Sequence, residues 1–481
     1  VREILIVGGG YAGFYTAWGL EKKLRRDEAR INVVDPRPYM TYQPFLPEVV
    51  AGSVEARHAA VSLRRHLHRT RLIAGSVTEI RNSAHTATVR PPSGPEFDLH
   101  YDMLVMTAGA VTRTFPIPGL SDQAYGLKHV EEAVAIRDRL LTSFDRAAAL
   151  PHGPERRRLL TATVVGGGFS GVEGFGELLS LASALLKHYP EIGAEELAFH
   201  LVEARGRILP EVTDRPGEWV VRSLEKRGAR VHLNTQLVSA QDGRVVLSDG
   251  SEYDSELLVW TAGNAANPIV HNHTDLPVDA RGLLMVRADL RVGTESEFVA
   301  DVWAAGDDAS VPDLAAGRPD ARTVPNAQHA VRQGKRLAKN ILASLRGRPT
   351  KDYVHHSLGV VATLGLGHGI FQYRRLVIKG FPAWLMHRGY HVLAVPSWER
   401  KARVFAVWVT AAFFGRDVIS LASVQHPREA FVSSGDPRRS EKSPDADAVA
   451  GGAVVGPGGH GRAAQRLAAR YRPRPTRRTR D

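Results

Sequence analysis

Ile4-Leu5-Ile6-Val7-Gly8-Gly9-Gly10-Tyr11-Ala12-Gly13 decides how the chain begins to fold. An apolar run of strand length meets a G-x-G-x-x-G turn formed by Gly8, Gly10 and Gly13, and a helix is expected from about Phe14 to Lys23. The first glycine permits a tight turn, the second lets backbone approach a pyrophosphate, and the third lets helix pack on strand. The helix N-terminus then offers unpaired N–H groups and a positive dipole end to phosphate oxygens, with Tyr11 and Ala12 inside the turn. A second strand, Ile31-Asn32-Val33-Val34, ends in Asp35, whose carboxylate suits ribose hydroxyls.

The same pattern returns. Leu159 to Val165 reads as a strand, Gly166-Gly167-Gly168-Phe169-Ser170-Gly171 as the turn, and Val172 to His188 as a helix. The following strand, Leu197 to Val202, ends in Glu203. Two such units, with Gly166, Gly168 and Gly171 repeating Gly8, Gly10 and Gly13, predict an α/β protein with two Rossmann-like domains, where two dinucleotides meet. A carboxylate at Glu203 accepts the 2′-hydroxyl of NADH and repels the 2′-phosphate of NADPH, a discrimination that nearby Arg205 and Arg207 soften. Small residues follow two further strands, at Ala108-Gly109 and Ala262-Gly263, where backbone can pass close to a cofactor. Val231 to Leu237 and Arg244 to Leu247 read as strands closing the second unit. Gly306-Asp307 ends another strand and sets Asp307 beside the helix expected from about Pro325 to Leu345. Between Pro36 and Gly52 lies a Pro- and Tyr-rich loop carrying Arg37 and Gln43, read as a pocket wall or as a surface loop with buried anchors.

The sequence of 481 residues contains no cysteine. That excludes a disulfide scaffold, a cysteine zinc site, an iron–sulfur cluster and a dithiol relay. The adjacent His355 and His356 lack clustered carboxylates, so no metal site is expected. The net charge of +12 is uneven, because residues 433–481 hold 11 Lys/Arg against 5 Asp/Glu. This Gly/Ala- and then Arg-rich tail is expected to be disordered, either a solvated tail without a specific partner or one that touches anionic lipid or nucleic acid by charge alone. No secretory leader and no spanning apolar run are legible, so the expected location is the cytoplasm or the cytoplasmic face of the membrane.

The two glycine motifs, Ala108-Gly109, Gly306-Asp307 and the helix start at Ala327-Gln328 resemble the two-dinucleotide flavoprotein reductases. More closely, residues 1 to 430 resemble the type II NADH dehydrogenases, single-chain NADH:quinone oxidoreductases. The resemblance implies FAD at Gly8, Gly10, Gly13 and Asp35, completed by Ala108, Gly109, Gly306 and Asp307, with Tyr11, Ala12, Arg37 and Gln43 around it. It implies NADH at Gly166, Gly168, Gly171, Glu203 and Gly263. Glu173 occupies the position of the family's glutamate near the nicotinamide. The quinone signature A-Q-x-A-x-Q appears as Ala327-Gln328-His329-Ala330-Val331-Arg332, with Arg332 where the second Gln belongs. Gln333 is one residue late, about 100° around the helix, and does not replace it. The catalytic candidates are therefore Glu173, Gln328 and Arg332. The expected organisation is an FAD domain at 1–120 and 271–346, an NADH domain at 121–270, a C-terminal region at 347–432, and the tail.

Leu376 to Val395 and Glu399 to Phe414 interleave aromatic and basic residues on segments too short to span a bilayer. They read as helices lying at a membrane surface, or as the core of a small domain or a homodimer interface. Three functions fit the whole: a peripheral-membrane NADH:quinone oxidoreductase, a soluble NAD(P)H-dependent reductase of a small redox protein, and an NADH-sensing flavoprotein.

Overall fold

The computed structural model describes residues 1–429 apart from Glu295, Pro319, Leu421, His426 and Pro427; the expected disordered tail at 433–481 lies outside the described residues. Two parallel sheets organise residues 1–422. In the first, the strands run in the order Arg291–Gly293, Phe298–Ala304, Met103–Met106, Arg2–Val7, Ala29–Asp35 and Thr70–Ala74. All are parallel except the first, an antiparallel edge strand. In the second, Ala124–Tyr125, Leu257–Trp260, Thr161–Val165, Ala198–Val202 and Ala229–His232 lie side by side, all parallel.

Helices cover both faces of such sheets, so their strands are apolar at nearly every position. Ile4, Leu5 and Ile6, like Met103 to Met106, are buried. Each contributes roughly 1.5–3 kcal/mol by leaving water. The helix Ala327–Leu345 packs on the helix Tyr11–Glu21 at a distance only small residues allow. A Cβ on Gly334 would stand 2.5 Å from the Ala12 carbonyl oxygen.

Three details differ from the sequence expectations. Both phosphate-loop helices begin earlier, at Tyr11 and Phe169, because the middle glycines Gly10 and Gly168 are extended and act as N-caps. The third glycine of each motif is therefore inside its helix. The expected strand Val231–Leu237 is broken between His232 and Leu237 by a turn in which Asn234 has φ +54°. His232 stays in the parallel sheet, and Leu237–Ser239 joins a separate antiparallel sheet with Arg244–Leu247 and Glu252–Asp254. Finally, Leu376–Lys379 is a strand, the last of an antiparallel sheet with Val360–Thr363 and Gly369–Tyr373.

Two helices follow, Phe381–Ala394 and Trp398–Phe414. Val404 is the one buried residue of the second, while Trp398, Phe405, Phe413 and Phe414 are 83%, 60%, 80% and 89% exposed. The reading of this segment as an aromatic core fails for these four residues. Leu385 and Leu393 of the preceding helix are also exposed.

Candidate active site

Each glycine motif builds the same cradle. Gly8 (φ +95°) turns the chain so sharply that a Cβ there would stand 2.3 Å from the Thr107 carbonyl oxygen. A Cβ on Gly13 would stand 1.9 Å from the Gly8 carbonyl oxygen. Gly10 differs: a Cβ there meets nothing within 4 Å, so the space in front of the helix N-terminus is open. That terminus has no side-chain cap and no acid in its first turn, which leaves its donors and dipole to an anion. The second motif repeats the close approach of its third glycine and the open space before its helix. A Cβ on Gly171 would stand 1.9 Å from the Gly166 carbonyl oxygen, and one on Gly168 would meet nothing within 4 Å. Thr107 and Thr261 even donate the same pairs of hydroxyl bonds, to Val7 and Gly8 and to Val165 and Gly166.

The acids at the strand ends are also equivalent. Asp35 accepts from the backbone N–H of Gly9 and of Arg37, both at 2.7 Å. Glu203 accepts from the N–H of Gly167 at 2.6 Å and of Arg205 at 2.8 Å. Each carboxylate thus braces its glycine turn and stands where a ribose would arrive. Burial pushes the Asp35 pKa up against these bonds. Arg37 does not face the cradle with its charge, because its guanidinium pairs with Glu131 at 2.7 Å. Beside Glu203, Arg207 is held by Asp214 at 2.7 Å, whereas Arg205 stays exposed.

Ala108-Gly109 and Gly306-Asp307 close the first cradle. Burial raises the Asp307 pKa, and Lys128 opposes the shift. Asp308, which the sequence reading passed over, accepts from the Ala108 N–H at 2.7 Å, and burial pushes its pKa up to about 7. Gln333 is buried and its Oε1 accepts from the Gly306 N–H at 2.8 Å, so it clamps the Gly-Asp turn. Gln328 and Arg332 lie together on the opposite part of that helix, with Arg332 Nη1 donating to the Gln328 carbonyl at 3.0 Å. The Gln328 side-chain amide has no hydrogen-bond partner among the described residues. Ala327 is the first residue of the helix, capped by Asn326. Gln43 meets the site through its backbone, donating to the Tyr11 hydroxyl at 3.0 Å.

A line of titratable groups runs from this cradle towards Glu173. The rings of Tyr11 and Tyr42 are 6.1 Å apart, and the Tyr42 hydroxyl is 3.1 Å from His391 Nδ1. The His391 ring lies 4.5 Å from that of His387, whose Nε2 is 3.1 Å from Glu173 Oε1. Burial drives the Tyr11 and Tyr42 pKa values well up and that of His391 well down, so all three are neutral near neutral pH. His387 goes the other way. Burial alone lowers its pKa, but Glu173, with Glu48 and Glu177, raises it above the ordinary value. Around this pair, buried Glu48 meets Arg388 at 3.1 Å and the Trp408 indole N–H at 2.8 Å, and Glu177 meets Arg416 at 3.6 Å. Glu173 is legible in the sequence, whereas its partner His387 comes from a distant segment and carries no such signal.

Residues 2–334 match the pyridine nucleotide-disulphide oxidoreductase family. The chain is 29% identical over 428 residues to a probable NADH dehydrogenase of Dictyostelium discoideum, covering 87% of this chain and 91% of that one. It is 28% identical to a type II NADH:quinone oxidoreductase of Haemophilus influenzae, covering 76% and 85% respectively. Among solved structures, NDH2 of Plasmodium falciparum in complex with NADH has the same fold, with a TM-score of 0.78 at 19% identity, over 87% of this chain and 99% of that one. Two matched glycine-turn cradles at the ends of parallel strands, and a family match over most of the chain, agree: this chain belongs to the pyridine nucleotide-disulphide oxidoreductase family, in a form whose sequence has no cysteine.

Proposed function

We propose that the chain is a single-chain, FAD-dependent NADH:quinone oxidoreductase that works at a membrane surface without pumping protons. The observation carrying this reading is the pairing of two dinucleotide cradles with a sequence free of cysteine. A disulphide reductase needs sulfur to relay electrons; here the acceptor itself must come to the flavin. The names of the relatives from Haemophilus influenzae and Mycobacterium tuberculosis, both type II NADH:quinone oxidoreductases, favour a quinone.

The flavin supplies acceptance of a hydride from NADH and delivery of two electrons to an acceptor. The chain's residues do the rest. The open turns at Gly10 and Gly168 receive pyrophosphates, and Asp35 and Glu203 hold the riboses. Glu203 thereby selects NADH over NADPH. Ala108-Gly109, Gly263 and the Gly306-Asp307 turn leave room for flat rings, and fixing them in register lowers the barrier by several kcal/mol. The unpartnered Gln328 amide donates to a quinone carbonyl. Glu173 Oε1 and His387 Nε2 hold a proton between them for the acceptor oxygen. The exposed aromatic residues of helices Phe381–Ala394 and Trp398–Phe414 support attachment to the membrane leaflet on the NADH-containing side. Among the described residues no helix is long and apolar enough to cross a membrane.

Stopped-flow reduction with NADH and with NADPH, followed by reoxidation with menaquinone and ubiquinone analogues, tests the reading. A flavin that NADH does not bleach ends it. Bleaching followed by reoxidation only by a small redox protein favours the soluble reductase instead. Arg332→Gln restores the family pattern, and quinone kcat/KM is expected to rise about fivefold, the worth of one hydrogen bond. Unchanged acceptor kinetics would remove Arg332 from the acceptor site.

A further inference from the structure

Helix Ala327–Leu345 carries Gln328, Arg332, Lys335 and Lys339 at spacings of four, three and four residues, which puts all four on one face. The acceptor amide therefore sits at the head of a cationic stripe. The stripe continues onto the neighbouring helix Tyr11–Glu21. Lys335 Nζ lies 5.0 Å from the centre of the Tyr15 ring, and Lys22 Nζ lies 3.5 Å over the Trp18 ring. Partial burial, and then the neighbouring charges of Arg332, Lys22 and Lys339, lower the Lys335 pKa. Among the described residues no carboxylate pairs with Lys22, Lys335 or Lys339, so the stripe presents uncompensated positive charge to solvent. Lys22, Lys335 and Lys339 are exposed and free to meet an anion.

The surroundings say which anion. Trp18 touches the His66 ring, and next to His66 in the chain Arg65 reaches Glu399 at 2.6 Å, at the start of the exposed apolar helix Trp398–Phe414. Arg403 shares that carboxylate at 2.8 Å, so the one acid there is already neutralised. On the other flank, Tyr15 lies near Tyr390 of helix Phe381–Ala394, which is 39% exposed, and three residues on Leu393 is 71% exposed. Both flanks of the cationic stripe thus connect, through neighbouring side chains, to the two helices that expose apolar residues. Cations beside an exposed aromatic and aliphatic surface are the arrangement that an anionic phospholipid headgroup layer fits, with acyl chains against the apolar residues.

We infer that Lys22, Lys335 and Lys339, with Arg332, form a docking stripe for anionic phospholipid headgroups that turns the Gln328 end of the helix towards the bilayer. This rests on the membrane-surface reading proposed above and adds to it a lipid class and an orientation. Each cation brought to an anionic leaflet contributes about fivefold in partition at low salt.

The test uses the full-length flavin-loaded chain, sedimented with vesicles of phosphatidylcholine alone or with one-third phosphatidylglycerol. Wild type is expected to prefer the anionic vesicles, and salt should erase the preference. K22Q/K335Q/K339Q should lose roughly 100-fold of anionic-vesicle partition while keeping its weaker binding to phosphatidylcholine. Residues 433–481 are common to both proteins, so the difference isolates the stripe. Two further results have fixed meanings. Equal partition of variant and wild type onto anionic vesicles overturns the proposal. Displacement by inorganic phosphate at matched ionic strength also overturns it, by revealing a site for free phosphate. NADH bleaching and reduction of a water-soluble quinone without vesicles are measured alongside. Failure there would end the oxidoreductase reading while leaving the partition result standing, and charge neutralisation that unfolds the chain would show as lost flavin absorbance. In that event the single variant K339Q, at the stripe's far end from Gln328, is read instead, with a loss of about fivefold expected and no loss overturning the stripe.

Discussion

Gly171→Ala is expected to yield a protein that stays yellow yet is bleached by NADH about 100-fold more slowly than wild type. A Cβ at this position would lie 1.9 Å from the Gly166 carbonyl oxygen and 2.6 Å from Thr261 Oγ1. Neither neighbour can yield, since Gly166 is the turn itself and Thr261 is bonded to it. The helix N-terminus must move outward by more than 1 Å, and overpacking of this kind costs about 1–3 kcal/mol. The larger loss is functional. A misplacement near 1 Å lowers a rate that depends on alignment by about 100-fold, and on the function proposed above the nicotinamide is aligned through this helix. Dithionite, which needs no cradle, should still reduce the flavin at the wild-type rate. Gly13→Ala makes the same clash in the first motif, 1.9 Å from the Gly8 oxygen, and should instead purify without flavin. The pair assigns the two cradles independently. Loss of flavin from Gly171→Ala, or normal NADH bleaching in both variants, would contradict the assignment.

The same two motifs show why part of this protein was legible before any coordinates. A phosphate cradle is local: its strand, turn, helix and terminal acid lie within one short stretch, and each glycine has a steric reason to be there. Hence the strand–turn–helix geometry at Gly8 to Gly13 and Gly166 to Gly171, with Asp35 and Glu203 after the following strands, was readable by spacing. Gln333 was half-readable. Helical geometry removed it from the Gln328 face, but only the fold shows it clamping Gly306. The segment Val231–Leu237 misled because apolar composition reports burial, not continuity, and it crosses from one sheet to another through a turn at Asn234. The partners of Glu173 left no sequence signal at all. His387 reaches it from a helix two hundred residues further along, roughly, by tertiary packing that no periodicity encodes.

That pairing gives the second large effect. His387 is buried, and its raised pKa means that the folded chain binds its proton more tightly than the unfolded chain does. The stabilisation is therefore fully present below the ordinary histidine pKa of about 6.5 and is lost as pH rises through the raised folded value. Wild type should accordingly lose stability between mildly acidic and alkaline pH. Glu173→Gln removes the carboxylate 3.1 Å from His387 Nε2, leaving Glu48 and Glu177 as the charges that hold the proton on the ring. Removing one partner of a buried pair costs about 3–5 kcal/mol, so the urea midpoint should fall sharply at pH 6. Burial then dominates, the His387 pKa drops, and the decline of stability with rising pH should flatten. Titration of His387 by NMR separates the electrostatic cause from simple loss of packing, because only the former moves its midpoint downward. If Glu173→Gln keeps both the wild-type slope and the His387 midpoint, the proton does not reside in this pair, and the acceptor's proton must be sought elsewhere along the line from Tyr11 to His391.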